Sequence, residues 1–340
     1  MKFSSCFFET YNICNLNCNE CYNASGNNLD PVSVSANAIR EFIGKLKPHG
    51  LKTVFFSGGE PTLHPDFKDL LSMVPEQKDI DFTVISNGVF FSPELIDTFH
   101  SNDNLFMQIS LDGSDEETNS INRGPGNFEK TIKTIKALAA CGKKPKVKMI
   151  VSKNTRHCVD SFYRLIVSLG GFPSFIFLIR SGNAIPEYED RTLSDDEKIS
   201  VTAEIKKLNE ELGVEALLPI DTLSCPLYKD DPELGLTVTP DGSIYICSFL
   251  CDHRFLLGNI DTSSMEDIIS SVRKISDNAK KRLRMDYGCK KCYIRSVCKT
   301  GCPGEAFLKN RDFFANDGLC NIRKKQVFKF GIAEKIKKID

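Results

Sequence analysis

The chain has 340 residues, 41% of them apolar, and a formal net charge of −1. That is enough apolar material for one large core or two ordinary ones. It is too little charge to draw in nucleic acid or an anionic membrane surface, so neither is expected as a partner.

Strand and helix patterns alternate over the first 212 residues. A strand is expected at Phe3–Tyr11, a helix at Val32–Leu46 and a strand at Lys52–Ser57. A short helix at Asp66–Val74 and a strand at Phe82–Ile85 follow, then a helix opened by Ser92 and Pro93. Next come a strand at Leu105–Leu111, a helix at Phe128–Ala140 capped by Asn127 and ended by Gly142, and a strand at Lys146–Val151. Val159–Leu169 reads as a helix, Ser174–Ile179 as a strand, and Ser194–Leu212 as a long helix with a Ser-Asp-Asp-Glu cap. Beyond Pro219 the pattern changes. Leu236–Thr239 and Ser243–Cys247 form a hairpin around Pro240-Asp241-Gly242, and a helix is expected at Met265–Ser271. The tail Ile322–Lys338 reads as a terminal helix with a solvated Lys face.

Six strands alternating with helices imply a parallel α/β sheet curled into a partial (β/α)6 TIM-like barrel. A smaller cysteine-rich α+β unit follows. Residues 1–215 and 216–340 are the expected domains. No apolar run approaches the ~20 residues that cross a bilayer. The N-terminus MKFSSCFFETYN lacks the make-up of a secretory signal, so a cytoplasmic location is expected.

Fourteen cysteines are many for a reducing compartment, and they are unevenly spread, with eight in the last 121 residues. Disulfides are rare in that setting, and metal or cluster ligation explains clustered cysteines better. Cys14, Cys18 and Cys21 stand in a Cys-x3-Cys-x2-Cys spacing. Three thiolates can hold three irons of a [4Fe–4S] cluster and leave the fourth open. A structural cluster or zinc site wants four protein ligands. On spacing alone, a zinc loop completed from a distance or three buried thiols stay open.

Three more segments follow strand ends, the edge where parallel α/β folds bind ligands: Ser57-Gly58-Gly59-Glu60-Pro61, Ser86-Asn87-Gly88 and Ser110-Leu111-Asp112-Gly113, with Arg123-Gly124 just downstream. In this order, with the cysteine loop, they closely resemble the radical S-adenosylmethionine (SAM) superfamily over roughly residues 5–180. The resemblance implies that SAM chelates the open iron and that reductive cleavage yields a 5′-deoxyadenosyl radical, which abstracts a substrate hydrogen atom. Gly58 and Gly59 would then let backbone approach the methionyl amine. Glu60 would accept from that amine or fix the turn, Ser110 and Asp112 would contact or support the ribose edge, and Arg123 would take the methionyl carboxylate. Where this family usually carries an aromatic residue or His before the third cysteine, this chain has Glu20, which reads as solvated, with Tyr22 after it.

The second constellation is Cys289-x2-Cys292-x5-Cys298-x3-Cys302, with Cys225 and Cys247 upstream and Cys320 downstream. Seven cysteines exceed one tetrahedral zinc site. The pattern resembles the SPASM extension, which implies two auxiliary [4Fe–4S] clusters. Cys225, Cys247 and Cys302 would hold the first, with Cys251 as a possible fourth ligand. Cys289, Cys292, Cys298 and Cys320 would hold the second.

The resemblance thus implies an oxidoreductase or maturase acting on a peptide or protein, served by a flavodoxin- or ferredoxin-type electron donor. Only 13 residues precede Cys14, so a peptide-recognition protein is expected to be separate. The alternatives are a radical dehydrogenase or epimerase of a small molecule such as an amino sugar and, from another class, a non-catalytic iron–sulfur electron carrier. The Gly58–Glu60 motif argues against the carrier. Ser248 after Cys247, where sulfatase-maturing relatives carry Asp, argues against that activity.

Overall fold

The structure is a computed structural model that describes residues 1–26, 29–219, 224–285 and 287–330. One sheet runs through it. Its first strand β1 (Lys2–Tyr11) alternates so that Phe3, Cys6 and Phe8 are buried on the helix side. Units then follow in strict alternation: α1 (Ala36–Leu46), β2 (Thr53–Gly58), α2 (Phe67–Ser72), β3 (Asp81–Ser86), α3 (Pro93–Ser101) and β4 (Leu105–Ser110). Two helices, α4 (Glu116–Arg123) and α5 (Phe128–Ala140), separate β4 from β5 (Lys146–Val151). The unit α6 (Val159–Ser168), β6 (Phe172–Phe177), the short α7 (Tyr188–Arg191) and α8 (Asp195–Leu212) complete this half. The cap expected at α8 is present in full, with Ser194 and Glu197 satisfying each other's backbone donors. Asn127 does not cap α5; its amide donates instead to the carbonyls of Arg123 and Gly124, at 3.1 and 3.0 Å.

The strand order is β6-β5-β4-β3-β2-β1-β7-β8-β9, and every pair from β6 through β7 in that order is parallel. The six parallel strands of the first half are the partial barrel, and their helices pack Ile39, Phe42, Phe99, Leu138 and Phe162 onto one core. β7 (Glu233–Val238) lies beyond residue 215 in the chain, yet it pairs in parallel with β1, Cys6 opposite Leu236 and Phe8 opposite Val238. The sheet therefore continues from the barrel into the cysteine-rich half. β8 (Ser243–Tyr245) returns antiparallel through the expected hairpin, and the two-residue β9 (Gly258–Asn259) closes the edge.

The later helices are α9 (Met265–Arg282), α10 (Arg295–Cys298), α11 (Pro303–Asn310) and α12 (Cys320–Phe330). α9 runs eleven residues past the expected end at Ser271, because its buried face goes on through Ile275, Ser276, Ala279 and Arg282. The terminal helix begins two residues before Ile322, and residues 331–338 of that expectation lie outside the described residues. Among the described residues, no helix is long and apolar enough to cross a membrane.

Candidate functional site

The cysteine loop leaves β1 and is fastened to the ends of other strands. Tyr11 and Ile13 carbonyls accept the amides of Gly59 and Glu60, at 2.6 and 2.9 Å. Asn23 donates to Gly58 O at 3.0 Å. Beyond β6, Asn183 donates its backbone amide to Cys21 O and its side chain to Cys18 O, both at 2.9 Å. From α4, the Asn122 side-chain oxygen accepts from Glu20 N at 2.8 Å. Backbone groups of the loop are thus paired locally, as groups removed from water need to be.

This fastening explains the glycines. A Cβ on Gly58 would lie 2.3 Å from Tyr11 O, and Gly58 has φ +130°; a Cβ on Gly59 would lie 2.3 Å from Ile13 O. The space their missing side chains leave is filled by the lead-in to the cysteine loop, while their backbone still borders the cavity.

Glu60 is fully committed as well. Its Oε1 accepts from Thr62 N, Thr62 Oγ1 and Ser86 Oγ, and its Oε2 from Asn87 N at 2.8 Å. Burial pushes its carboxyl up, and these donors pull it back. Of the two roles expected for Glu60, the contacts fit fixing the turn.

Asp112 stands behind the cavity wall, wholly buried. Its Oδ1 accepts from Ile150 N at 2.8 Å, and its Oδ2 lies 2.8 Å from Arg123 Nε. It supports rather than contacts. Burial opposes the Arg123 charge, but Asp112 and then the Cys18 and Cys21 thiols overcome that and hold it firmly protonated. Arg123 Nη1 lies 4.0 Å from Cys18 Sγ.

Cys14, Cys18, Cys21, Gly58, Gly59, Glu60, Ser110 and Arg123 all border one cavity of about 240 Å³ at the C-terminal ends of the barrel strands. Ser86 and Asn87 join them, and Asn87 Nδ2 lies 3.9 Å from Cys14 Sγ. Burial pushes the Cys14 thiol up to about 12 and the Cys18 thiol to about 11. Such thiols call for a cation to become thiolates at neutral pH.

Glu20 is not solvated: it is 3% exposed and borders the same cavity. Neither carboxylate oxygen makes a hydrogen bond of good geometry, though the Ser152 hydroxyl lies close enough to lower its carboxyl. Burial, then Asp112, push its carboxyl up to about 7. Buried carboxylate oxygens without a well-formed hydrogen bond call for a polar partner. The donor set and these oxygens fit a thiolate-held cluster with SAM beside it. Among the described residues, no three Cys, His, Asp or Glu side chains converge as a single ion requires. A cubane needs less convergence, since each thiolate takes its own iron.

In the C-terminal half, Cys247 feels Cys302 and then Cys225, and Cys302 feels Cys225, so these three thiols share one neighbourhood. Cys251, which is exposed, lies at its rim, its Sγ 3.7 Å from Cys247 O and near the Glu9 and Asp241 carboxylates. Cys298 feels Cys320. Cys292 and Cys298 pack on Ile294 and Val327, in a small apolar cluster apart from the main core. A buried polar clamp secures this loop. Arg282 Nε donates to Tyr228 Oη at 3.1 Å, Tyr228 Oη donates to Gly301 O at 2.9 Å, and Cys302 N donates to Asp317 Oδ2 at 2.8 Å. Cysteine spacing gave no sign of Arg282 or Asp317.

Comparison with known proteins agrees with this geometry. The radical SAM superfamily model matches residues 8–166, and the SPASM iron-sulfur cluster-binding domain model matches residues 230–293. The mycofactocin maturase MftC of Mycobacterium ulcerans (strain Agy99) is 26% identical over 320 residues, 90% of this chain and 85% of the relative. Streptococcus suis SuiB, solved bound to its precursor peptide SuiA, superposes with a TM-score of 0.77 at 16% identity, over 94% of this chain and 76% of that one. Native anSMEcpe with bound AdoMet superposes with a TM-score of 0.77 at 19% identity, over 98% of both chains. The chain therefore belongs to the radical SAM superfamily and carries a SPASM iron-sulfur cluster-binding region.

Proposed function

We propose that this protein is a radical SAM maturase that modifies a peptide or protein. The observation that carries the radical chemistry is the shared cavity, where three thiols of one loop meet polar groups from the ends of β2, β3 and β4 and from α4. The maturase reading rests on the similarity to MftC.

When bound, a [4Fe–4S] cluster and SAM supply reductive SAM cleavage and hydrogen-atom abstraction from the substrate. The chain's own residues hold and orient. Cys14, Cys18 and Cys21 are the cluster ligands. Arg123, aimed by Asp112, takes the methionyl carboxylate. Ser110 sits at the ribose edge, and Glu60 locks Gly58–Gly59 against the loop. Ile176, Phe177 and Leu178 line the far wall and keep water out.

In the second half, Cys225, Cys247 and Cys302 hold one auxiliary cluster, and Cys289, Cys292, Cys298 and Cys320 the other. Cys251 completes the first set. Unchanged iron content and EPR spectra in Cys251→Ala would remove it from that role. The functional division falls near residue 215, although the sheet spans it. A flavodoxin- or ferredoxin-type donor and a separate peptide-recognition protein complete a cytoplasmic system.

The test is anaerobic incubation of the reduced, cluster-loaded protein with SAM and candidate precursor peptides. Formation of 5′-deoxyadenosine with a mass change in one peptide is expected. Cluster-loaded protein that forms no 5′-deoxyadenosine under any of these conditions overturns the proposal.

A further inference from the structure

Beside the SAM cavity lies a second one of about 300 Å³, between β5, β6, α8 and the cysteine-rich half. The two share Lys148 and the wall Ile176–Ile179, so an occupant of one borders the other. Three lysines line the second cavity: Lys146 and Lys148 on β5, and Lys198 on α8. Lys198 is only 6% exposed, and its ammonium lies 5.4 Å from the Phe177 ring centroid. Burial, and then Lys146, hold Lys148 below the ordinary lysine value.

Among the described residues, no carboxylate or hydrogen-bond acceptor reaches any of the three ammonium groups. The carboxylate on this wall, Glu305, is itself partnered. Tyr188 also lines the cavity and is covered by the Arg180 guanidinium, 4.6 Å from its ring centroid. Arg180 in turn is paired with Glu189. The like charges of Lys146 and Lys148, two residues apart on β5, and the buried ammonium of Lys198 on the facing helix are costly unless an anion sits among them. Barrel interiors otherwise fill such positions with apolar side chains.

We infer that this cavity is the anion site for the substrate: a carboxylate sits among Lys146, Lys148 and Lys198 while the C–H bond to be attacked lies in the adjoining SAM cavity. The inference rests on the peptide reading above. A peptide supplies such a carboxylate from an acidic side chain or from its C-terminus. Lys148, common to both cavities, fixes the spacing between that carboxylate and the reacting carbon.

The test uses the full chain and three small probes read by ligand-observed NMR. N-acetyl-glutamate α-amide carries only a side-chain carboxylate, N-acetyl-glutamine only a terminal one, and N-acetyl-glutamine amide neither. At least one carboxylate is expected to bind tenfold or more tighter than the neutral probe, and which one does so identifies the source. Lys148→Met and Lys198→Met are each expected to lose that tenfold. On wild-type protein, the same probe is expected to shield Lys146, Lys148 and Lys198 from acetylation read by mass spectrometry, a readout independent of whether the variants fold. Equal binding of all three probes overturns the inference. So does unchanged binding in the folded variants, absence of shielding, or binding of inorganic phosphate with no binding of either carboxylate. Formation of 5′-deoxyadenosine by wild-type protein reads the radical reaction separately, so the two readings can fail independently.

Discussion

The two cysteine-bearing loops are built on different principles. The loop of Cys14, Cys18 and Cys21 hangs from a large apolar core, and its backbone is hydrogen-bonded to β1, β2, α4 and the segment after β6. Among the described residues, the loop of Cys289, Cys292 and Cys298 has Ile294 and Val327 as its buried apolar centre, and buried charges hold it as well. Arg323 pairs with Asp317 at 2.7 Å, and Arg282 reaches Tyr228 and the carbonyls of Thr300 and Ala315. The contrast predicts that the first loop is shaped before a metal arrives, and that the second relies on a bound metal as part of its fold, as small metal-bound units do.

Removing iron gives the widest separation between the two. Chelation is expected to raise amide exchange at least ~100-fold across residues 289–302, and less than about threefold across 11–23, by hydrogen-exchange mass spectrometry. Equal loosening of both loops would erase the contrast.

Arg282→Met comes next. It leaves the carbonyls of Phe313, Ala315 and Thr300 without their donor and Tyr228 Oη with the Thr300 hydroxyl alone, at a cost of about 3 kcal/mol. Denaturation of the iron-loaded protein measures it. Exchange is expected to rise in α9 and residues 289–302 while β2 to β5 stay protected.

Gly59→Ala probes the other loop. Its Cβ would lie 2.3 Å from Ile13 O, a backbone atom that cannot swing away. The expected cost is about 2 kcal/mol, with lower iron occupancy at Cys14, Cys18 and Cys21. An unchanged melting temperature and full occupancy would mean that the loop is looser than its hydrogen bonds imply.

The contrast also explains what was legible in the sequence. Strands β1 to β6 and helices α1, α5 and α6 announce themselves through apolar periodicity, because their inner faces meet a single core. Helix α4 does not. Its buried residues are Thr118, Asn119 and Asn122, so apolar spacing is silent where the chain places Asn122 and Arg123 against the cysteine loop. The end of α9 is half silent in the same way, since Ser276 and Arg282 share its inward face with Ile275 and Ala279. Glu20 reads as a surface residue by type, and only the fold shows it walled in. The pairing of β7 with β1 joins segments over two hundred residues apart, and no local pattern encodes that. Cysteine spacing named the thiols; the side chains that set their surroundings are polar and distant in sequence.

The smallest expected effect lies where the two regions touch. Glu9 on β1 is 7% exposed and accepts from Tyr22 Oη at 2.8 Å, just after Cys21. Burial raises its carboxyl above the ordinary 4.5, the Tyr22 bond lowers it, and Asp241 from the β7–β8 turn raises it again. The folded chain therefore holds this proton more tightly than the unfolded chain. The contribution to stability is complete below pH 4.5 and is lost as pH rises through the folded value. Glu9→Gln keeps the neutral form at every pH. In iron-free protein it is expected to raise Tm by about 1–2 °C at pH 8 and to leave it unchanged at pH 4.5. A gain of the same size at both pH values would mean that Glu9 strains the junction by shape alone. The charge of one region would then not be felt in the other.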